Sequence, residues 1–250
     1  MAFLEKRIKE VHPNTEVVIC DYFNGLGSLE PMWSQVNKIG QDLMAFSSKH
    51  PEGIHLIGYS QGGLIARGIL ENFSNHNVKT FISLSSPQAG QYGTKFLHLW
   101  FPELITETAY KVFYTVTGQF FSVGNYWNDP HKQELYRNYS VFLPYINNEI
   151  ASRRDPSYYN GLVKLENMVL IGGPDDEVIT PWQSSIFGYY NSNEEIEYLR
   201  DRAIYKEDFI GLKTLDREKK LKIIIQRGVK HLAWRKNITI IDNDIIPHLN

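Results

Sequence analysis

The segment Gly58-Tyr59-Ser60-Gln61-Gly62 is the first place where residue type and spacing predict chemistry. It has the pattern GxSxG and stands between IHLIGY, typical of a strand, and QGGLIARGILENF, typical of a helix. A serine on such a sharp turn has a strained backbone and lies exposed at the carboxyl edge of a sheet. We therefore predict that Ser60 is a nucleophile and that Gly58 and Gly62 leave room for the turn. The alternative is a turn with a structural role only.

A serine hydroxyl needs a base to take its proton, and after this kind of turn an acid and then a histidine follow along the chain. The acidic loop PDDEVITP, residues 174–181, follows the apolar run MVLIGG and offers Asp175 or Asp176, of which we favour Asp176. Of the eight histidines, His231 lies just beyond a late apolar run, KIII. We predict that neutral His231 deprotonates Ser60 and that the carboxylate orients its imidazole, although a turn aspartate and a surface histidine are the alternatives. This chemistry requires no metal and no organic cofactor.

The elements that position these residues alternate between helix and strand. Helical spacing at the start ends at His12, a β-branched run at 15–20 predicts a strand, a glycine-containing loop covers 24–28, and a helix covers 32–49. IHLIGY, TFISLSS, NMVLIGG and KIII are short, apolar on both faces and bounded by turns. Such strands belong to a mostly parallel sheet with helices on both faces. We expect one α/β domain over residues 1–250, of the α/β-hydrolase fold.

Residues 94–150 differ from the rest of the chain in composition. Of these 57 residues 14 are Phe, Tyr or Trp, about a quarter, against 13% for the whole chain. We predict a helical, aromatic-rich, cap-like insertion whose side chains line an acyl-binding groove, because each methylene of a bound chain contributes about 0.8 kcal/mol when it leaves water. The alternative is that these aromatics only pack the insertion onto the core.

Composition excludes some partners and leaves the compartment open. The chain has 26 basic and 28 acidic residues without a long Lys/Arg run, so we expect no nucleic acid partner. No run approaches 18 apolar residues, which predicts no membrane span, and the start MAFLEKRIKEVHP shows no signal-peptide core. The lone cysteine, Cys20, is expected to be a buried, inert thiol. Three glycosylation sequons, at Asn72, Asn138 and Asn237, point instead to the secretory pathway. No pattern fixes an oligomeric state.

Several longer strings resemble the palmitoyl-protein thioesterases, specifically the second, lysosomal-thioesterase type. They are YSQGGLIARGIL, FISLSSPQAGQYG, NYWNDPH, LIGGPDDEVITPWQSS, FIGLKTL and HLAW, and the resemblance runs nearly end to end. It implies the triad Ser60, Asp176 and His231, with a backbone N–H of Gln61 in the oxyanion hole. It also implies a location in the lysosome lumen and hydrolysis of long-chain fatty-acyl thioesters, acyl-CoA or S-acylated thiols, through an acyl-enzyme.

The chain departs from that family at its start and in its cysteines. Family members begin with a signal peptide and a strand whose His-Gly-type loop supplies a second oxyanion N–H, and they contain disulfides. We therefore expect an amino-terminally incomplete product of a longer gene, in which two strand edges are exposed or pair directly with each other. The loss of one oxyanion donor is expected to lower turnover by about 10² to 10³. The competing functions are a carboxylesterase or lipase and, from a different class, a catalytically impaired acyl-binding form.

Overall fold

The computed structural model describes residues 1–249, apart from the side chain of Trp100. Within these residues the central sheet has four parallel strands in the order β1-β2-β3-β6, and β4 and β5 form a small antiparallel pair. The strands, in chain order, are β1 Ile54–Tyr59, β2 Val78–Leu84, β3 Asn167–Gly172, β4 Tyr189–Tyr190, β5 Ile196–Glu197 and β6 Leu221–Ile225. The four predicted central strands and their parallel arrangement are confirmed.

Helices occupy the connections between these strands. The α-helices are α1 Ala2–Val11, α2 Met32–Ser47, α3 Gln61–Asn72, α4 Thr94–Trp100, α5 Tyr110–Phe113, α6 Ser122–Tyr126, α7 Gln133–Tyr139, α8 Leu143–Ile146, α9 Pro156–Val163, α10 Ala203–Lys206, α11 Leu212–Arg217 and α12 Ile238–Ile240. The 3₁₀ helices are Gly25–Leu29, Thr106–Thr108, Gly118–Phe120, Ala151–Arg153, Trp182–Ile186, Leu199–Asp201, His231–Ala233 and Ile246–His248. A π-helical turn, Ile241–Ile245, continues from α12.

The sheet has a helix layer on each face because alternate strand residues point in opposite directions. Phe81 and Leu170 are fully buried on the face covered by α3, α9 and α11. Ile82 and Ile171 are fully buried on the opposite face, against α1 and the helical turns after α12. Burial on both faces explains why these strands read as continuous apolar runs.

The aromatic residues of 94–150 mostly build a core of their own with α2 and α3. Seven of them are buried in this cluster: Phe96, Phe113, Tyr114, Tyr126, Trp127, Tyr136 and Phe142. Others remain partly in solvent, among them Phe120 at 64% and Phe121 at 37% exposure. Packing thus accounts for many of these side chains, and only the exposed ones are free to meet a ligand.

The strand predicted at residues 15–20 does not form, and this prediction is wrong. The segment is irregular and Val18 is 63% exposed. A β-branched run becomes a strand only when a neighbour completes its hydrogen bonds, whereas β1, at the edge of the sheet, pairs within the described residues with β2 alone. Cys20 lies in the same segment and is exposed, so its predicted burial is wrong as well.

Two boundaries near the start also differ from expectation. The predicted loop at 24–28 is the 3₁₀ helix Gly25–Leu29, and the helix predicted to end at residue 49 ends at Ser47. This 3₁₀ helix contacts α6, so a segment that precedes Ser60 in the chain and one that follows it lie together.

Candidate active site

Ser60 lies between β1 and α3 in a conformation that few non-glycine residues adopt. Its φ is +55° and its ψ is −132°, and its N–H donates to the carbonyl of Leu84 at 3.0 Å. A Cβ on Gly58 would lie 2.4 Å from the α-carbon of Gly63, so this close approach requires glycine. A Cβ on Gly62 would meet no atom within 4 Å. The expected steric role of Gly62 is therefore wrong, and Gly63, where a Cβ would come within 2.7 Å of Ser86, fills it instead.

Ser60, His231 and Asp176 form a continuous chain of hydrogen bonds. Nε2 of His231 is 2.9 Å from Oγ of Ser60, and Nδ1 is 2.8 Å from Oδ2 of Asp176. An ionised carboxylate only accepts hydrogen bonds, so Nδ1 carries the proton and Nε2 is left to accept the hydrogen of Ser60. His231 and Asp176 are buried, each 6% exposed. The three residues thus have the order and spacing needed to transfer the serine proton to the imidazole.

The carboxylate of Asp176 has many donors besides the histidine. Its Oδ1 accepts the backbone N–H groups of Val178 at 2.9 Å and Ile179 at 3.0 Å, and its Oδ2 accepts Nε1–H of Trp234 at 2.7 Å. Burial alone would raise the pKa of Asp176, but the hydrogen bonds and charge of His231 and the other donors outweigh it and leave the pKa below its ordinary value. Asp176 therefore stays ionised and oriented at neutral pH.

Asp175, the other candidate acid, has a different position. It is exposed, and its Oδ2 accepts the backbone N–H of Gly228 at 2.6 Å. This bond ties the acidic loop to the loop that carries His231. The geometry brings Asp176, and not Asp175, to the imidazole.

Gln61 is held firmly at the start of α3. Its Nε2 donates to the carbonyl of Ser28 at 2.8 Å and to Oε1 of Gln35 at 3.2 Å, while its Oε1 accepts the hydroxyl of Tyr126 at 3.0 Å. The helix itself gives no acceptor to the N–H of its first residue. This N–H, next to Ser60 and at the positive end of the helix dipole, can stabilise an anion that forms there.

Three residues of the site were not predicted from the sequence. Tyr59 stacks on His231 with ring centroids 5.2 Å apart and donates its hydroxyl to the carbonyl of His231 at 2.7 Å. Burial raises the pKa of Tyr59 to about 12, so this donor keeps its proton. Ser85 and Trp234 both donate to Asp176. The last two have a positional signal, because Ser85 follows β2 at the sheet edge where the loops of Ser60, Asp176 and His231 meet, and Trp234 is three residues after His231.

Two further features concern metals and membranes. Among residues 1–249, no group of three or more His, Cys, Asp or Glu side chains could hold a metal ion. In the same part of the chain no helix has both the length and the apolar character to cross a bilayer.

The chain is similar in sequence to several known thioesterases. A family model described as palmitoyl protein thioesterase matches residues 1–231. The lysosomal thioesterase PPT2 homolog of Drosophila melanogaster is 51% identical over 250 residues, 100% of this chain and 87% of that protein. Lysosomal thioesterase PPT2 of Homo sapiens is 43% identical over 244 residues, 97% of this chain and 81% of that protein. Palmitoyl-protein thioesterase 3 of Dictyostelium discoideum is 35% identical over 223 residues, 87% of this chain and 75% of that protein.

A lipase-esterase related protein from Clostridium acetobutylicum gives a TM-score of 0.46 at 13% identity, over 99% of this chain and 87% of that chain. A TM-score this low does not by itself support a conclusion about the fold or the function of this chain. The parallel sheet with helices on both faces and the strand-turn-helix at Ser60 define an α/β-hydrolase. The chain belongs to the palmitoyl protein thioesterase family and is a thioester hydrolase, which confirms the family resemblance drawn from its sequence.

Proposed function

We propose that this protein hydrolyses long-chain fatty-acyl thioesters through an acyl-enzyme on Ser60. In this proposal His231 is the general base and acid, Asp176 orients it, and the backbone N–H of Gln61 stabilises the oxyanion. The observation that carries the proposal is the unbroken chain of hydrogen bonds from Ser60 through His231 to Asp176.

Acylation begins when Nε2 of His231 takes the proton of Ser60 while Oγ bonds to the carbonyl carbon of the thioester. The carbonyl electron pair moves to oxygen, where the N–H of Gln61 and the positive end of α3 stabilise the negative charge. The electron pair then returns, the carbon–sulfur bond breaks, and the thiol leaves with the proton from His231. Asp176 stabilises the positive imidazolium between these two proton transfers.

Deacylation repeats the same proton transfers with water. His231 takes a proton from a water molecule while the water oxygen bonds to the acyl carbon. His231 then returns that proton to Oγ of Ser60 as the ester bond breaks. The products are a fatty acid and a free serine. Each group of the triad is thus used twice, and no metal or organic cofactor takes part in these steps.

The acyl chain is proposed to lie against the insertion at 94–150, acting as a cap. The hydrogen bond from Tyr126 to Gln61 places α6 directly beside the nucleophile turn. Phe121, which precedes α6, and Phe120 leave apolar surface exposed there, as does Leu26 at 82% exposure on the 3₁₀ helix near α6. Each methylene that these side chains shield from water adds about 0.8 kcal/mol to binding.

A comparison of two substrates tests this function. The parent protein should hydrolyse palmitoyl-CoA faster than a matched palmitoyl oxygen ester, and Ser60→Ala should abolish turnover, whereas Ser192→Ala, at an exposed serine, should keep it. A clear preference for the oxygen ester would refute the thioesterase assignment in favour of a carboxylesterase or lipase. Binding of palmitoyl-CoA without turnover by the parent would favour the acyl-binding form.

The compartment proposed for this activity is the lysosome lumen. Its support is that the relatives from Drosophila melanogaster and Homo sapiens are named lysosomal thioesterases, and that two of the sequon asparagines, Asn72 and Asn138, are exposed. In cells, peptide N-glycosidase should increase the electrophoretic mobility of the protein. An unchanged mobility together with a cytosolic distribution would contradict this location.

A further inference from the structure

Ser85 is a buried serine next to the triad that adopts an unfavourable backbone conformation. It directly follows β2, is fully buried, and has a φ of +44°. In this left-handed region a residue with a Cβ is less stable than glycine. Its N–H donates to the carbonyl of Ile171 at 2.7 Å, which fixes the residue between the ends of β2 and β3. A strained position that keeps a hydroxyl points to a use for that hydroxyl.

The hydroxyl of Ser85 donates to Oδ2 of Asp176. Nδ1 of His231, 3.4 Å from the same hydroxyl, is too distant for a comparable bond, and it carries its own proton toward the carboxylate. Oδ2 thus accepts three hydrogen bonds, from His231, Trp234 and Ser85. Of these three donors, Ser85 alone directly follows β2, the strand that pairs with β1.

We propose that Ser85 is a positioning residue of the hydrolytic site, whose hydroxyl holds the carboxylate of Asp176 in place and shares its negative charge. The inference rests on the proposed function of the triad. The hydroxyl of Ser85 connects Asp176, which follows β3, to the end of β2, the strand that pairs with β1. The orientation of His231 relative to Ser60 then depends on a hydroxyl that contacts neither the substrate nor Ser60.

Loss of this hydroxyl has two consequences. The carboxylate remains hydrogen-bonded to His231 and Trp234 but is less precisely oriented, and because small misalignments of reacting groups are costly, the rate should fall by about tenfold. Without the hydroxyl, more negative charge also stays on the carboxylate of Asp176. The carboxylate then stabilises the protonated imidazole of His231 more strongly. The acidic limb of the pH–rate profile should therefore move to higher pH by about half a unit, which a loss of general stability would not produce.

The test compares Ser85→Ala, Ser85→Gly and a matched control, Ser83→Ala. Ser83 is also a fully buried serine, on β2, and its hydroxyl accepts Nε2–H of Gln88 at 2.9 Å without contacting the triad. The rate at which a fluorophosphonate probe labels Ser60 is measured across pH, and thermal unfolding is recorded for each variant. We expect both Ser85 variants to label about tenfold more slowly with a raised midpoint, and Ser83→Ala to label like the parent.

The glycine variant separates the hydroxyl from the backbone. Glycine accepts a φ of +44° without strain, so Ser85→Gly should fold even if Ser85→Ala does not. Labelling of either Ser85 variant with the rate and midpoint of the parent would overturn the inference, as would a midpoint shift of equal size in Ser83→Ala. A parent protein that the probe does not label would instead overturn the proposed function, and this inference with it.

Discussion

Replacing Ser60 with glycine should make the protein more stable than replacing it with alanine, because the backbone at this position is strained. Both substitutions remove the hydroxyl and its contact with His231, so they differ only in the Cβ. With φ at +55° and ψ at −132°, the Cβ is held in a region that favours glycine. The pair therefore measures the backbone strain at residue 60 without interference from the lost hydrogen bond.

The expected difference follows from two opposing effects. A residue with a Cβ in such a sparsely populated backbone conformation is less stable by roughly 1–3 kcal/mol. Glycine loses more conformational freedom on folding, which costs about 0.5–1 kcal/mol. Ser60→Gly should thus exceed Ser60→Ala in free energy of unfolding by about 1 kcal/mol, which corresponds to a rise in Tm of about 2–4 °C for a chain of this length.

Thermal unfolding of the two variants measures this difference, with the same pair of substitutions at Ser192 as the control. Ser192 is exposed and does not have a positive φ, so there alanine should be the more stable residue. If Ser60→Gly is no more stable than Ser60→Ala, while the Ser192 pair behaves as expected, then the backbone at Ser60 is not strained.

Three other substitutions have predictable effects. Gly58→Ala places a Cβ 2.4 Å from an α-carbon of α3, so the turn must shift and hydrolysis should fall by about 10²-fold or more. Trp234→Phe removes the donor 2.7 Å from Asp176 and should lower kcat by about tenfold, since a hydrogen bond to a charged group contributes roughly 1.5–3 kcal/mol. Burial lowers the pKa of His76 from 6.5 to about 4, so the neutral ring contributes stability above pH 6.5 that is lost as the pH falls toward 4. Between pH 7 and pH 5 the free energy of unfolding should therefore fall by ~2 kcal/mol less in His76→Gln than in the parent.

Each of these has an outcome that would contradict it. Steady-state hydrolysis by Gly58→Ala at the parent rate would contradict the close approach of β1 and α3. An unchanged kcat in Trp234→Phe, measured at saturating substrate, would show that its N–H does not support the acid. Urea unfolding at the two pH values should give the smaller pH dependence in His76→Gln, and an equal dependence in both proteins would mean that His76 is not the titrating group.

The strand-turn-helix at Ser60 could be predicted from sequence because its determinants are local. Ser60 stands between a strand and a helix whose patterns are each visible within a few residues. The acidic loop narrowed the predicted orienting carboxylate to Asp175 or Asp176, with Asp176 preferred, and could go no further because neighbouring residues share one sequence context. Their separate contacts, with Gly228 and His231, depend on chain segments about 55 residues away.

Features that depend on distant pairing were missed. The β-branched run at 15–20 has the composition of a strand, but composition does not supply the neighbour that a strand requires, and Cys20 is exposed with it. Ser85 stands in a run of serines, SLSS, in which nothing marks the one with a positive φ. Only the arrangement of β2 and β3 shows that its hydroxyl faces Asp176.

The central claim is that a fatty acyl group is transferred to Ser60 during thioester hydrolysis. The most direct test is to quench a reaction with palmitoyl-CoA in acid and to map the acylated peptide by mass spectrometry. The proposed mechanism predicts a palmitoyl ester on Ser60 in the parent protein and none in Ser60→Ala. Acylation at another residue, or turnover that persists in Ser60→Ala, would contradict it.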